Sequence, residues 1–151
     1  MDKILNLGCG NRLIENAVNH DLHRHREEID IAWDLNDMPW PWDDESFEFI
    51  AARAVLEHLR INLLESVGEC WRILKPGGKL YMKLPLWNHP NTYMDPTHYW
   101  KFSILAPTIF DPSTEYGSQY VFYTSRKWNI IKGPRANKAK SSLHVTMEVI
   151  K

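Results

Sequence analysis

The chain has 151 residues, of which 44% are hydrophobic and 25% are charged, and its 18 Lys and Arg against 19 Asp and Glu leave a formal net charge of −1. One globular domain is expected over residues 1–151: the composition excludes a disordered or collagen-like chain, and the lack of a basic excess argues against a nucleic-acid partner. No apolar run approaches the roughly 20 residues that cross a bilayer, so we expect no membrane span. No signal peptide is evident, and Cys9 and Cys70 have no metal-ligand spacing. We therefore expect a cytoplasmic protein.

Seven apolar or alternating runs predict the strands, and several of them end at a glycine or an acidic residue. The predicted strands span residues 3–7, 16–21, 29–33, 47–52, 79–84, 120–132 and 142–150. Strands that alternate with crossover segments are typical of an α/β protein. We therefore predict a Rossmann-like, open and mostly parallel sheet with a C-terminal antiparallel strand. In such a sheet, ligands bind at the carboxyl ends of the strands.

The clearest helical signal spans residues 56–74, where apolar side chains recur every three or four positions. Asn62 has Glu65 three residues after it, which is the spacing of a capping box. The Pro-Gly-Gly sequence at residues 76–78 is expected to end this helix. A shorter helix is predicted at about residues 103–110.

Short connections between the first strands leave little room for crossover helices. About six residues (11–16) join the first two predicted strands and about seven (22–28) join the next two, whereas a parallel crossover normally takes a dozen or more. We therefore predict a reduced set of helices on one face of the sheet. Such a face would expose apolar residues to water, which predicts a homodimer through it or another partner that covers it.

Residues suited to an adenosine-bearing cofactor follow successive predicted strands. The Gly-x-Gly turn at residues 8–10 lets the backbone approach a ligand closely and offers N–H groups to an anion. Asp21, after the second strand, can accept hydrogen bonds from both hydroxyls of a ribose. Asp34 and Leu35, after the third strand, suit an adenine, because the carboxylate can accept from the exocyclic amine while the leucine packs on the ring.

The motifs LNLGCGN, VNHDL, DLNDMPWPWDDESFEFI, AVLEHL, WRILKPGGKLYMKLP and DPTH occur in one order between about residues 4 and 98. In this order and spacing they resemble the class I S-adenosylmethionine-dependent methyltransferases, specifically the type 11 group. The resemblance implies S-adenosyl-L-methionine as the cofactor and S-adenosyl-L-homocysteine as its product. The implied residues are Gly8 and Gly10 at the methionine part, Asp21 at the ribose, Asp34 and Leu35 at the adenine, and Arg53 and Ala54 at the sulfonium, with Asn6, Cys9 and Leu22 completing the predicted cofactor set.

The sequence departs from this family pattern in its first motif and in its crossovers. Asn6 stands where the family usually has an acidic residue, so any water-mediated contact with the amino group of the cofactor is neutral. Asn11 and Arg12 follow Gly10 in place of the third glycine of the motif. The short crossovers described above are the other departure.

Methyl transfer from a sulfonium is an in-line displacement, in which the protein mainly aligns the reactants and excludes water. A base is needed only where the acceptor must lose a proton. The aromatic and proline-rich segment at about residues 85–117 is predicted to lie over the carboxyl edge of the sheet, as an active-site segment. Within it, Asp95 and His98 are candidates for an oriented base, and His58 is a further catalytic candidate. A purely structural hydrogen bond is the alternative for each histidine.

No metal site is expected from the histidines near Asp21. His20, His23 and His25 are close in sequence, but alternate residues of a strand point to opposite faces, and arginines lie between them.

Three functions remain open on the sequence. The first is a methyltransferase that acts on a small molecule or a glycan precursor. The second is a non-catalytic module that has kept the fold in order to bind a cofactor or a partner, which the altered first motif and the short crossovers favour slightly. The third is a nicotinamide-dependent oxidoreductase, although the chain lacks both a full GxGxxG and a long first crossover helix to hold a pyrophosphate.

Overall fold

The computed structural model describes residues 3–151, which form one seven-stranded sheet with a few short helices. The strands are β1 (Ile4–Leu7), β2 (Ala17–Asp21), β3 (Ile31–Ala32), β4 (Phe47–Arg53), β5 (Leu74–Pro85), β6 (Lys127–Ala136) and β7 (Ser142–Ile150). The α-helices are α1 (Leu63–Ile73), α2 (Asn91–Met94) and α3 (Glu115–Gln119), and the 3-10 helices are η1 (Leu56–His58), η2 (Ala106–Phe110) and η3 (Val121–Tyr123).

The strands follow the spatial order β3-β2-β1-β4-β5-β7-β6. Strands β1 to β5 pair in parallel, whereas β7 is antiparallel to both of its neighbours, β5 and β6. This arrangement confirms the predicted Rossmann-like, mostly parallel sheet with a C-terminal antiparallel strand. It also gathers the carboxyl ends of β1, β2, β3 and β4 along one edge.

Helix α1 begins at Leu63, later than the start that we predicted at residue 56. The predicted capping box is confirmed: the N–H of Glu65 donates to Asn62 Oδ1 (3.0 Å), and the N–H of Asn62 donates to Glu65 Oε2 (2.8 Å). Because Asn62 is extended (φ −79°, ψ 174°), no continuous helix can run through it. The apolar spacing at Leu56 and Leu59 belongs instead to η1 and its extended C-terminal residue.

The Pro-Gly-Gly sequence does not end α1, and that prediction is wrong. The helix ends at Ile73, and β5 follows directly. Between the paired residues Phe47↔Leu74 and Phe49↔Lys79 the register shifts, so residues 75–78 form an irregularity inside β5. Gly77 supports it with a φ of +72°, which favours glycine.

Two other predicted elements are shifted or shortened. The strand predicted at residues 120–132 begins only at Lys127, because residues 121–123 form η3 and the rings around them pack on one another, as between Phe122 and Tyr123 (centroids 5.1 Å apart). The third predicted strand, residues 29–33, pairs over two residues only. The helix expected near residues 103–110 is the 3-10 helix η2.

No helix occurs in the described crossovers from β1 to β2, from β2 to β3 or from β3 to β4. The predicted reduction of the helix set is therefore confirmed. Side-chain hydrogen bonds hold these connections instead. Asn6 Nδ2 donates to the carbonyl of Arg12 (2.8 Å) and to Asn19 Oδ1 (2.9 Å), and Asn19 in turn exchanges hydrogen bonds with the backbone of Ile14 (both 3.0 Å).

Two tryptophans of the β3–β4 crossover take part in the hydrophobic core. Trp40 is 2% exposed, and Trp42 packs edge-on against Phe47 (6.0 Å between centroids). Arg72 fixes this crossover to α1, since its guanidinium donates to the carbonyls of Trp40 (3.0 Å) and Trp42 (2.8 Å) and to the carboxylate of Glu69 (2.8 and 2.9 Å). The N–H of Trp40 also donates to Glu69 (2.7 Å).

The two faces of the sheet differ in character. One face carries the buried aliphatic side chains of the core, such as Leu80, Met82 and Leu84 on β5. The opposite face of the same strand carries Lys79, Tyr81 and Lys83, which are half-buried or exposed.

The expectation that the helix-poor face exposes apolar residues is therefore wrong for strands β5 and β7. The alternating residues of β7 on this face, His144, Thr146 and Glu148, are as polar as those of β5. The large exposed apolar side chains lie mostly between Trp87 and Tyr123 instead. A homodimer through this face stays a prediction.

Among residues 3–151, no helix combines the length and the apolar character that a membrane crossing requires.

We expect Arg72→Met to lower the free energy of unfolding by about 3 kcal/mol, because it leaves the buried Glu69 carboxylate without its cationic partner. Burial raises the pKa of Glu69, but the hydrogen bonds from Arg72 and from the N–H of Trp40 outweigh burial and lower it. Urea denaturation at neutral pH measures the loss. The matched control is Lys79→Met, which removes an exposed ion pair with Glu148 (3.7 Å) and is expected to cost about 0.5 kcal/mol or less. Equal losses in the two variants would contradict the structural role of Arg72.

Candidate active site

A cleft of about 480 Å³ opens at the carboxyl ends of the first four strands. Its walls come from the turn after β1, the ends of β2 and β3, the segment from Ala54 to Arg60, and the part of the 85–117 segment that crosses above them. The lining residues are Gly8, His20, Asp21, Leu22, Trp33, Asp34, Leu35, Asn36, Ala54, Val55, His58, Leu59, Arg60, Thr97 and Tyr99. Six of the predicted cofactor residues (Gly8, Asp21, Leu22, Asp34, Leu35 and Ala54) and the catalytic candidate His58 are among them.

The glycine turn requires glycine at its first position. Gly8 has a φ of +56°, and a Cβ built on it would lie 2.5 Å from a methyl carbon of Val55. Gly10 has a φ of +51° but open space around it, so only its backbone conformation favours glycine. The first glycine therefore lets β1 and the segment after β4 approach each other at the floor of the cleft.

Asp21 fixes the end of β2 and keeps acceptor capacity. Its Oδ2 accepts from the N–H of Gly10 (2.7 Å), and its Oδ1 accepts from the N–H of Leu22 (2.7 Å). Each carboxylate oxygen has a further lone pair. The carboxylate is thus oriented by the backbone and is still able to accept from ligand hydroxyls.

His20 lines the same cleft, and our sequence reasoning did not include it in the cofactor set. Its Nδ1 accepts from the N–H of Gly8 (3.2 Å), which leaves Nε2 as the protonated nitrogen that donates to the carbonyl of Trp33 (3.0 Å). Burial lowers the pKa of His20, against smaller raising effects of the Trp33 carbonyl and the charge of Asp21. The signal in the sequence was the strand alternation, which turns residue 20 toward the core face.

The end of β3 is joined to the segment after η1 by Asn36. Asp34 Oδ1 accepts from the N–H and the side-chain amide of Asn36 (both 2.9 Å). Asn36 Oδ1 then accepts from the N–H of Arg60 (2.6 Å), and Leu35 is buried beneath the cleft. This chain of hydrogen bonds places one carboxylate and one apolar side chain on the wall opposite the glycine turn.

Four predicted cofactor residues do not line the cleft. Asn6 is buried and bonded to the loop after β1, as described above. Cys9 is buried, and burial together with the charge of Asp21 raises the pKa of its thiol, so it is not an activated nucleophile. Gly10 donates its N–H to Asp21, and Arg53 is a half-buried residue of β4. A direct cofactor contact by these four residues stays a prediction.

A second pocket of about 220 Å³ adjoins the first cleft. Ala54 and His58 line both spaces. The other lining residues of the second pocket are Glu57, Lys83, Leu84, Pro85, Asn91, His98, Ser141 and Ser142. Ala54 adopts a φ of +53°, a left-handed conformation that is rare for a residue with a side chain and tends to occur at functional sites. The geometry therefore gives a larger cleft and a smaller pocket that meet at Ala54 and His58.

The structure brings His58 and His98 together, with ring centroids 4.7 Å apart. Asp95 does not hold His98 directly, because the nearest atoms, His98 Nε2 and Asp95 Oδ2, are 3.9 Å apart. Asp95 Oδ1 instead accepts from the hydroxyl of Thr97 (2.6 Å), which lies 2.8 Å from His58 Nδ1. His98 Nδ1 donates to the carbonyl of Thr92 (2.9 Å). The expected hydrogen bond between Asp95 and His98 is therefore not formed. His98 instead packs against His58, and Asp95 supports His58 through Thr97.

Glu57 is a buried carboxylate beside these two histidines, and sequence reasoning missed it. It is 1% exposed, and its Oε2 has no hydrogen-bond partner. Burial raises the pKa of Glu57 to about 7, against smaller lowering effects that include the charges of His98 and Lys83. The LEH sequence that contains it was treated only as part of a family motif, although an acidic residue in an apolar helical stretch is itself a signal.

His20, His23 and His25 do not lie together in the structure. His20 is buried at the cleft, whereas His23 and His25 are exposed. In the part of the chain that the structure describes, Glu57, His58 and His98 form a different group, in which one ligand-type atom of each residue lies within 4.8 Å of the others.

Comparison with solved structures identifies the fold. A Haloferax volcanii putative methyltransferase, solved in complex with the Trm112 methyltransferase activator, is 13% identical, with a TM-score of 0.65 over 99% of this chain and 83% of that one. A methyltransferase from Archaeoglobus fulgidus that depends on S-adenosylmethionine is 14% identical, with a TM-score of 0.63 over 97% and 86%. A possible histamine N-methyltransferase from Thermotoga maritima is 16% identical, with a TM-score of 0.60 over 100% and 83%.

The sequence profile of the type 11 family described as "Methyltransferase domain" matches residues 10–82. No curated protein sequence matches the chain significantly. The matched region contains the ends of β2, β3 and β4, which form most of the cleft. Residues 10–82 thus match the type 11 methyltransferase family, the chain has the fold of S-adenosylmethionine-dependent methyltransferases, and the cofactor that this match implies is S-adenosylmethionine.

Proposed function

We propose that this protein transfers the methyl group of S-adenosylmethionine to a small polar acceptor, either a small molecule or a glycan precursor. The observation that carries the proposal is the junction of the two spaces at Ala54 and His58. The larger one has the carboxylates and the apolar wall that an adenosine needs. The smaller one lies at the position where a methyl acceptor would meet the sulfonium.

The lining of the larger cleft supports one orientation of the cofactor. Asp21 accepts from the ribose hydroxyls through its remaining lone pairs, and Asp34 accepts from the exocyclic amine of the adenine. Leu22 and Leu35 pack on the adenosine. The methionine part then crosses Gly8, which has no side chain to block it, and the sulfonium points toward Ala54.

The lining of the smaller pocket supports a polar acceptor. Lys83, Asn91, Ser142 and the two histidines offer hydrogen-bond donors and acceptors around about 220 Å³. A hydroxyl-bearing ring such as a sugar would satisfy several of them at once, whereas a purely apolar acceptor would leave them unpaired.

The alternatives have less support. A nicotinamide dinucleotide binds with its pyrophosphate at the N-terminus of a helix that follows β1, and residues 8–16 contain no helix. A non-catalytic module would have no need of a second pocket beside the proposed sulfonium position. The buried and unpaired Cys9 and Cys70 support the reducing cytoplasm as the proposed location.

We expect Asp21→Ala to weaken the binding of S-adenosylhomocysteine by at least about tenfold, since charge-assisted hydrogen bonds contribute roughly 1.5–3 kcal/mol each. Isothermal titration calorimetry measures the change. The control is Asp37→Ala, an exposed aspartate near the cleft that does not line it. Equal affinity of the two variants would show that Asp21 does not bind the cofactor. Absence of binding by the wild type would overturn the proposed function.

We expect the stability to fall as the pH drops below about 6.5, the ordinary pKa of histidine, and the affinity for S-adenosylhomocysteine to fall at a lower pH, where His20 of the folded protein takes up a proton. Because the fold lowers the pKa of His20, its neutral form stabilises the protein above that pH, and the contribution is lost on acidification. Protonated Nδ1 would also face the N–H of Gly8 as a second donor. Calorimetry and thermal melts between pH 7.5 and 5.5 measure both effects.

Burial also lowers the pKa of His58 and of His144, so the comparison variant is His20→Gln. Its side chain keeps an acceptor and a donor but has no titrating group. A pH dependence of binding as steep in His20→Gln as in the wild type would contradict the role of His20.

We expect S-adenosylhomocysteine to form only when an acceptor is present, as measured by mass spectrometry of reactions that contain S-adenosylmethionine and a panel of hydroxylated compounds and nucleotide sugars. A product heavier by one methylene group identifies the acceptor. Tight cofactor binding without product from any polar acceptor would favour the non-catalytic alternative.

A further inference from the structure

We propose that Glu57, His58 and His98 bind a divalent first-row transition-metal ion in the smaller pocket. The three residues come from η1 and from the segment after α2, and the fold brings them together across 41 positions of sequence between Glu57 and His98. All three residues line this pocket.

The hydrogen bonds of the two imidazoles leave one ring nitrogen of each free for a ligand. His98 Nδ1 must carry a proton, because its partner is the carbonyl of Thr92 (2.9 Å). His58 Nδ1 lies 2.8 Å from the hydroxyl of Thr97, whose own proton goes to Asp95 (2.6 Å), so His58 Nδ1 donates as well. Both Nε2 atoms therefore hold a lone pair. A donated Nδ1–H is the usual support of a metal-binding histidine.

The spacing of the three residues suits one shared ion. With metal–nitrogen bonds of about 2.0–2.1 Å, two imidazoles at roughly a right angle around an ion have ring centroids about 5 Å apart. The centroids of His58 and His98 are 4.7 Å apart and their planes are inclined by 73°. The ligand atoms lie within 4.8 Å of one another, and His58 Nε2 is 3.9 Å from Glu57 Oε1. Binding of one ion requires side-chain rotations that shorten these separations.

Glu57 supplies an independent observation. Its Oε2 is buried and has no hydrogen-bond partner among residues 3–151. A buried polar atom without a partner is costly, and buried carboxylates are normally paired or coordinated to a metal. An ion between Glu57 and the two histidines would pair this buried carboxylate, whose Oε1 lies toward His58.

The ligand set selects the class of ion. Two imidazoles and one carboxylate favour zinc, iron, cobalt or manganese over magnesium and calcium, which prefer oxygen ligands alone. Three protein ligands leave at least one coordination position open. Ala54 and Lys83 are among the other residues that line this pocket.

The role of the ion rests on the proposed function. An acceptor hydroxyl at the open position would be bound through its oxygen and would lose its proton to water, because a bound cation lowers the pKa of such a group. That oxygen then forms a bond to the methyl carbon while the sulfur–carbon bond breaks, and the electron pair of the broken bond stays on sulfur as the neutral thioether. No redox change is involved.

The test is zinc binding by protein made without a polyhistidine tag and treated with chelator. We expect about one equivalent by isothermal titration with zinc chloride and by elemental analysis after dialysis. Glu57→Gln and His98→Ala are expected to lower the affinity by at least about tenfold, as changes at metal sites do. His25→Ala removes an exposed histidine elsewhere and should leave it unchanged. Absence of saturable binding, or equal binding by wild type and His98→Ala, would overturn the metal site.

Two further measurements keep this result separate from folding and from the proposed function. The visible absorption of bound cobalt(II) reports coordination by nitrogen ligands and should disappear in His98→Ala. Binding of S-adenosylhomocysteine should persist in His98→Ala, since His98 does not line the larger cleft, and its persistence shows that the variant is folded. Failure of the wild type to bind S-adenosylhomocysteine would overturn the proposed function alone, because the zinc titration is read independently.

Discussion

One neutral imidazole connects the carboxyl ends of the first three strands. His20 lies near the end of β2, accepts from the N–H of Gly8 after β1, and donates to the carbonyl of Trp33 after β3. In a full doubly wound sheet, crossover helices on both faces would hold these ends in place. Here the crossovers contain no helix and β3 pairs over only two residues, so the side chain of His20 takes over part of that role.

The same solution recurs around the cleft, where side chains bond to backbone groups that a helix would otherwise satisfy. Asp21 accepts from the turn after β1, Asn36 accepts from the segment after η1, and Asn6 donates to the loop after β1. The cost is that some groups suited to the cofactor are partly committed to the fold. Asp21 meets both demands only because each carboxylate oxygen can accept more than one hydrogen bond.

The local signals in the sequence predicted the parts of the site that depend on local geometry. A glycine turn, an acid after β2 and an acid after β3 need only the ends of neighbouring parallel strands, and Gly8, Asp21 and Asp34 all line the cleft. The capping box at Asn62 was equally local, and its hydrogen bonds are present. The apolar stripe that extended the helix to residue 56 was misleading because a 3-10 turn and an extended residue gave the same spacing.

What the sequence did not predict depends on contacts between distant segments. His20 acts through partners 12 and 13 residues away, and Glu57 meets His98 only because the 85–117 segment folds back over η1. The polar character of the open sheet face was visible in the alternation of Lys79, Tyr81 and Lys83. The short crossovers predicted that helices were missing but not that β5 and β7 are hydrophilic on the uncovered face.

The 85–117 segment is anchored over the site and is not a free lid at residues 97–100. The N–H of Tyr99 donates to the carbonyl of Glu57 (2.8 Å), and the indole of Trp100 donates to the carbonyls of Leu59 (2.8 Å) and Ile61 (3.0 Å). Thr97 lines the larger cleft and also orients His58, which lines both spaces. A ligand that displaces Thr97 in the larger cleft must therefore alter the imidazole in the smaller one. Thr97 therefore joins the lining of the larger cleft to the orientation of His58, which together with Ala54 lines both spaces.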